Sequence, residues 1–115
     1  MDIEFLRTYC LSKPAVTEDF PFDEETLVFK VCGKIFLLTD IHTQPVSANL
    51  KCEPEYAVEL RDRYHCIRPG YHMNKVHWNT VTFDDEMTHR EYLDLIDHSY
   101  NQVVKGLPKK LRDAL

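Results

Sequence analysis

The sequence predicts a two-layer α+β domain in which an antiparallel sheet of about five strands carries helices packed on it, in the order α-β-β-β-α-β-β-α. Two observations carry this expectation. Residues 26–31 and 34–39 are rich in β-branched and aromatic side chains and are separated only by Cys32-Gly33, the pattern of a hairpin. Segments near the start, middle and end instead repeat apolar residues at three- and four-residue steps behind recognisable caps, the pattern of helices resting one face on a core.

The first helix starts at Asp2, a good cap, and runs Ile3, Leu6, Tyr9 and Cys10 along one stripe until Pro14 stops it. Ala15 to Glu25 reads as a loop, with Phe20 and Phe22 straddling Pro21 and pinning it to the core while its acids face water. Thr26–Val31 and Lys34–Thr39 then form the hairpin. Gly33 suits the second turn position, where φ > 0 is needed, and the turn type stays open because Cys32 is an unusual partner. Val46 to Lys51 is a third strand. Glu53-Pro54 opens a helix carrying Tyr56, Ala57, Leu60 and Tyr64 on one face and ending near His65. Ile67–Met73 and His77–Phe83 alternate enough for two short strands, with Pro69-Gly70 marking an edge or bulge. Thr88-His89-Arg90-Glu91 is a capping box flanked by Met87 and Tyr92 at staple positions. The helix behind it buries Leu93, Ile96, Tyr100 and Val103 or Val104 and ends at Gly106, and Pro108 opens a short terminal helix.

Composition narrows the function classes. A chain of 115 residues fits a single domain, residues 1–115, with one core. No apolar run approaches the ~20 residues of a membrane span, and Asp2 and Glu4 stand where an export signal carries cations, so a cytoplasmic setting is expected. The four cysteines show no Cys-x-x-Cys spacing, which points to reduced thiols and implies no structural metal. A net charge of −5 argues against a surface that binds nucleic acid everywhere. The charge is uneven, however. The first 25 residues hold Asp2, Glu4, Glu18, Asp19, Asp23, Glu24 and Glu25 against Arg7 and Lys13, whereas Lys105, Lys109, Lys110 and Arg112 crowd the far end.

One block departs from this acidic background. From Arg63 to Phe83 the only formal charges are Arg63, Arg68 and Lys75, and the window also holds His65, His72 and His77. Arg68 and Lys75 can contact phosphate oxygens, Asn74 and Asn79 can read base edges, and Tyr71 and Trp78 offer flat faces for stacking. A structural reading is equally concrete: Trp78 and Tyr71 pack, Arg68 pairs with an acid, and the asparagines hold turns. Catalysis lacks a signature. There is no nucleophile elbow, no His-Glu-x-x-His helix and no phosphate-cradling glycine loop among three glycines. Cys66 beside His65 is better read as a small buried hydrophobe than as an activated thiol.

Several blocks together resemble the MmcQ/YjbR family of small bacterial proteins. They are Tyr9-Cys10-Leu11 with Pro14, Val16 to Phe22, Thr26 to Val31, Asn49-Leu50-Lys51-Cys52, Arg68 to Lys75 with His77-Trp78-Asn79-Thr80, Asp97-His98-Ser99-Tyr100, and Leu107-Pro108-Lys109-Lys110. The resemblance implies a fold of the secretion-chaperone type and a DNA-binding role through paired β-hairpin wings. Carried over by position, the first wing would comprise Lys30, Cys32, Gly33 and Lys34, and the second Arg68, Tyr71, His72, Asn74, Lys75 and His77, with Trp78 beside them.

The expectation is therefore a small non-enzymatic binding protein, without cofactor, that meets DNA or another anionic ligand through this block. The alternative is a protein- or peptide-binding module using the face or edge of the sheet. An enzyme acting through His72, His77 and Tyr71 ranks last.

Overall fold

The computed structural model describes all of residues 1–115. Its elements are α1 (Ile3–Leu11), β1 (Val16–Asp19), β2 (Thr26–Val31), β3 (Lys34–Asp40), β4 (Ser47–Lys51), α2 (Pro54–Arg63), β5 (Ile67–Pro69), β6 (Trp78–Thr82), α3 (His89–Lys105) and α4 (Lys109–Asp113). The strands form one six-stranded sheet in the order β1-β2-β3-β4-β6-β5, with every neighbouring pair antiparallel. The α+β architecture matches expectation. No helix is long and apolar enough to cross a membrane.

Local chemistry explains most boundaries. The Asp2 carboxylate accepts from the Phe5 N–H at 2.8 Å, and Thr88 and Glu91 close a complete capping box. Cys32 and Gly33 both have positive φ, 48° and 80°, which resolves the hairpin as a type I′ turn. Three expectations need correction. The segment read as a loop contains β1, because Val16 to Asp19 pair with Val31 to Val28 and Arg7 holds the Glu18 carboxylate beside the edge. Phe20 and Phe22 are exposed and do not pin that segment to the core. Residues 70–73 and 77, expected to belong to two strands, fall in a loop over 70–77, leaving β5 with three residues.

Side chains alternate across a strand, so the register divides the sheet into two faces. Leu27, Phe29, Leu37, Ala48, Leu50, Ile67 and Val81 point toward α1, α2 and α3 and join them in a core cluster of 24 buried residues. Ile35, Leu38, Asn49, Thr80 and Arg68 point to the opposite face, which the three long helices leave bare.

The core face has one irregularity. Ile35 faces Lys30 and Leu37 faces Phe29, so Phe36 is an extra residue, a bulge on β3. The fully buried Ser99 of α3 fills the resulting gap between β3 and β4: its hydroxyl donates to the Phe36 carbonyl and accepts from the Lys51 N–H at 2.8 Å. Its neighbours on α3 are also engaged. Asp97 accepts from Tyr9 Oη at 2.6 Å and from Lys13 Nζ, His98 Nε2 accepts from the Glu53 N–H at 3.1 Å, and Tyr100 Oη donates to the Pro14 carbonyl at 2.7 Å. Four consecutive side chains thus tie α3 to α1, to the start of α2, to the sheet and to the first loop.

Replacing Ser99 with Ala would strip two buried backbone groups of their partner and should lower stability by about 2–4 kcal/mol, measured by urea unfolding; an unchanged midpoint would refute this role. The clamp also gives a pH dependence. Burial holds the His98 imidazole below its usual 6.5, against the opposing pull of Glu53. The unfolded chain therefore takes up a proton near pH 6.5 that the folded chain accepts only at lower pH. Stability from this site is full above that pH and drains as pH falls below it. Urea midpoints followed through this window should fall in the parent protein and fall less in His98→Gln.

Candidate functional site

The block from Arg68 to Asn79 is built around a close backbone approach. Gly70 follows β5 directly and is buried against Trp78; a Cβ on it would lie 2.8 Å from Trp78 Cβ and 2.9 Å from the Trp78 carbonyl. Only glycine fits there. The Gly70 N–H donates to that carbonyl at 2.9 Å, and the chain then folds over the bare face of the sheet.

Tyr71 is fixed there by its backbone. Its N–H donates to Thr80 Oγ1 at 2.9 Å, its carbonyl accepts from Asn49 Nδ2 at 3.1 Å, and Thr80 Oγ1 donates to Asn49 Oδ1. The backbone of one residue is gripped at both its N–H and its carbonyl, which leaves the Tyr71 ring free: it is 69% exposed and its centroid lies 4.0 Å from that of the His72 ring. His72 has φ 58°, an uncommon left-handed conformation for a side chain with a Cβ. Asn74 accepts from the N–H groups of Val76 and His77, an Asx turn that closes the loop.

The loop forms one wall of a groove of about 480 Å³ on the helix-free face. Leu38, Asn49 and Thr80 lie along its floor, Tyr71, His72 and Met73 bound one side, and Phe22, Thr26, Asp40 and Thr43 also line it. Asp40 is the only Asp, Glu, Lys or Arg in the lining.

The expected cations do not converge. Arg68 lies on the bare face and donates to Thr82 Oγ1 at 3.2 Å. Lys75 bends back, its Nζ donating to the Gly70 carbonyl at 2.8 Å. Lys30 is 3.7 Å from Asp19, while Lys34 is exposed beside the hairpin turn. His77 is exposed, Trp78 is half-buried opposite Lys51, and Asn79 is buried, donating to the Ala57 carbonyl. Lys75 does meet a residue that the sequence did not single out. Arg61 of α2 donates through Nη1 to the Lys75 carbonyl at 2.8 Å and to Asn79 Oδ1 at 3.3 Å.

The remaining reactive groups are structural. His65, His72 and His77 do not gather within ligating distance of a common point, whereas the side-chain ligand atoms of Cys66, Asp84 and Glu86 lie within 4.8 Å of one another. There, both Glu86 oxygens accept backbone N–H bonds, from His65 at 3.0 Å and Cys66 at 2.7 Å, and the Tyr92 hydroxyl bonds Asp84. Burial pushes the Cys66 thiol up to about 11, far from a thiolate nucleophile at neutral pH. Burial likewise pushes Cys10 and Cys52 up to about 12.

Sequence reasoning missed Asn49, Thr80, Leu38 and Arg61 as parts of the site. Asn49 did carry a signal, being an amide side chain inside a strand. Arg61 carried none, because its partners are set by tertiary contact.

Comparisons with known proteins bear on the family and the fold. A family model described as YjbR matches residues 11–102. The chain is 39% identical over 107 residues to the uncharacterized protein YbdF of Escherichia coli O157:H7, covering 93% of this chain and 88% of that one. It is 34% identical over 116 residues to the uncharacterized protein YjbR of Escherichia coli K12, covering 100% and 98%. Among solved structures, Deinococcus radiodurans protein DR2400, with the domain DUF419, superposes with a TM-score of 0.92 at 42% identity, covering 98% of this chain and 86% of that one. A Pseudomonas syringae protein superposes at 0.75 with 27% identity, covering 89% and 98%.

Gly70→Ala should cost about 1–3 kcal/mol through overpacking against Trp78 and should shift the emission of this single tryptophan. Native stability with unchanged emission would mean that the close approach is not obligatory.

Proposed function

The chain belongs to the YjbR family, and from that premise we propose that it is a small non-enzymatic binding protein whose helix-free sheet face receives a short basic protein segment bearing an apolar or aromatic side chain. The observation that carries this reading is the chemistry of the groove. Phe22 and Tyr71 are 66% and 69% exposed on its lining, two large rings held in water at a concave surface. The lining contains Asp40 and neither Lys nor Arg, and the exposed Asp23, Glu24 and Glu25 follow Phe22 directly. Anions are disfavoured in such a groove and cations favoured. Its volume of about 480 Å³ falls in the range of binding clefts.

Fluorescence anisotropy with a labelled peptide that places lysines around one phenylalanine, beside a copy with glutamates for lysines, tests this directly. The basic peptide should bind and the acidic copy should not. Tyr71→Ala and Leu38→Arg should each weaken binding about tenfold or more. Equal binding of both peptides, or affinity unchanged in both variants, would sink the reading; so would saturable binding of small neutral aromatics with no peptide binding.

A second reading, duplex DNA binding by paired wings, is favoured by one feature. The Cys32-Gly33 turn with Lys34 and the loop carrying Lys75 lie at the same end of the sheet, where Val31, Lys51 and Trp78 also end or begin their strands. With three or four phosphate contacts, the logarithmic salt slope would be about −3. Lys34→Ala and Lys75→Ala would each weaken binding. Duplex titrations that show no binding, or binding insensitive to salt, remove this reading.

A further inference from the structure

A second concavity of about 370 Å³ lies on another part of the surface, lined by Pro54, Val58, Arg61, Pro69, Lys75 and Val76. Its chemistry is the reverse of the groove. It has two cations and no acid, and its other residues are two prolines and two valines. Neither Arg61 nor Lys75 takes part in an ion pair. In a chain of net charge −5, both are held instead by neutral acceptors: Arg61 by the Lys75 carbonyl and Asn79 Oδ1, Lys75 by the Gly70 carbonyl.

How Arg61 is held matters most. Both of its hydrogen bonds leave from Nη1, so the Nε and Nη2 donors on the other edge of the guanidinium have no protein partner. That edge presents two parallel N–H groups, the fork that takes an oxyanion in bidentate fashion. Contact with the buried Asn79 and the loop carbonyl fixes the plane of the fork before any ligand arrives, which reduces the entropy lost on binding. The Lys75 ammonium, with one of three donors engaged, supplies a second positive charge to the same cleft. Val58 and Val76 remain 49% and 57% exposed beside it, apolar surface that a small hydrocarbon group would cover.

We propose that this cleft between α2 and the 70–77 loop is a binding site for a small oxyanion, a phosphate monoester or a carboxylate, carried on an apolar stem. Arg61 grips the oxyanion through Nε and Nη2, Lys75 adds a charge-assisted bond, and Val58 and Val76 cover the stem. The site is separate from the groove around Tyr71, and its ligand is of opposite charge.

Heteronuclear NMR reads the key donor directly, because the Nε–H of an arginine gives its own cross-peak. Titration with phenyl phosphate and, separately, benzoate at constant ionic strength should move the Arg61 Nε–H and Val76 amide signals saturably, with inorganic phosphate binding more weakly for want of the stem. The phosphate and carboxylate arms identify which oxyanion is preferred. Arg61→Lys keeps the charge and loses the fork, and it should weaken binding about tenfold or more, as should Lys75→Gln. Because Arg61 also supports the loop, the exposed Lys75→Gln variant provides the control for folding. Leu38→Arg, in the groove, should leave this binding unchanged. Shifts that fail to saturate, that sodium chloride reproduces at equal ionic strength, or that persist in both cation variants would overturn the proposal. Binding of duplex DNA without binding of either small oxyanion would overturn it too.

Discussion

The hydroxyl of Ser99 sits where two central strands part, and the placement of the other layers follows from it. The bulge at Phe36 interrupts the hydrogen-bond ladder on the core face, leaving a carbonyl and the Lys51 N–H without strand partners. Buried polar backbone groups are costly when unpaired, so an element carrying a small hydroxyl must lie at that spot. α3 is that element, and the bond fixes both its rotation and its position along the sheet. Asp97, His98 and Tyr100 then bring α1, the start of α2 and the first loop to the same helix. Burial alone would push the Asp97 carboxyl up, yet it lies below its ordinary range because Lys13 and Tyr9 donate to it, so the join between α1 and α3 is an ionised one.

Collecting the helices on one face has a cost for the other. Six strands with one bare face would expose a broad surface, and the loops at residues 20–25, 40–45 and 70–77 fold so that they rim it. The 70–77 loop does so through polar contacts: Asn49 and Thr80 hold the Tyr71 peptide, and Gly70 permits the turn. These contacts create two concavities of opposite chemistry. On one side of the loop, Tyr71 and His72 border a groove whose single formal charge is Asp40; on the other, Lys75 and Val76 complete a cleft with Arg61.

Much of this was legible in the residues. The capping box at Thr88, the Asp2 cap, the Cys32-Gly33 turn and the apolar stripes of α1 and α3 rest on interactions within a few positions of one another, so their spacing states them. β1 was not legible, because an acidic edge strand draws its stability from a neighbour and from Arg7. The strands expected over 67–73 and 77–83 were too long for a related reason: alternation cannot reveal that Asn49 and Thr80 will draw residue 71 out of line. The candidate site was legible as a location but not as an arrangement of side chains. Tyr71 and His72 line a concave surface, whereas the cations of the same block turn to Thr82 and Gly70, and Lys30 of the first hairpin lies beside Asp19.

The sequence by itself determined every element type but that of β1, the main caps and turns, the apolar stripes of the helices and the family, since these depend on short-range periodicity and on motifs that stand in order along the chain. Tertiary structure alone decided which face of the sheet stays open, which cations keep a free edge, and that Asp97 to Tyr100 form a clamp. Each of those outcomes requires groups distant in sequence to meet. Arg61 and Asn79 lie on different elements, as do Ser99 and Phe36, and only the packed fold brings their donors and acceptors together.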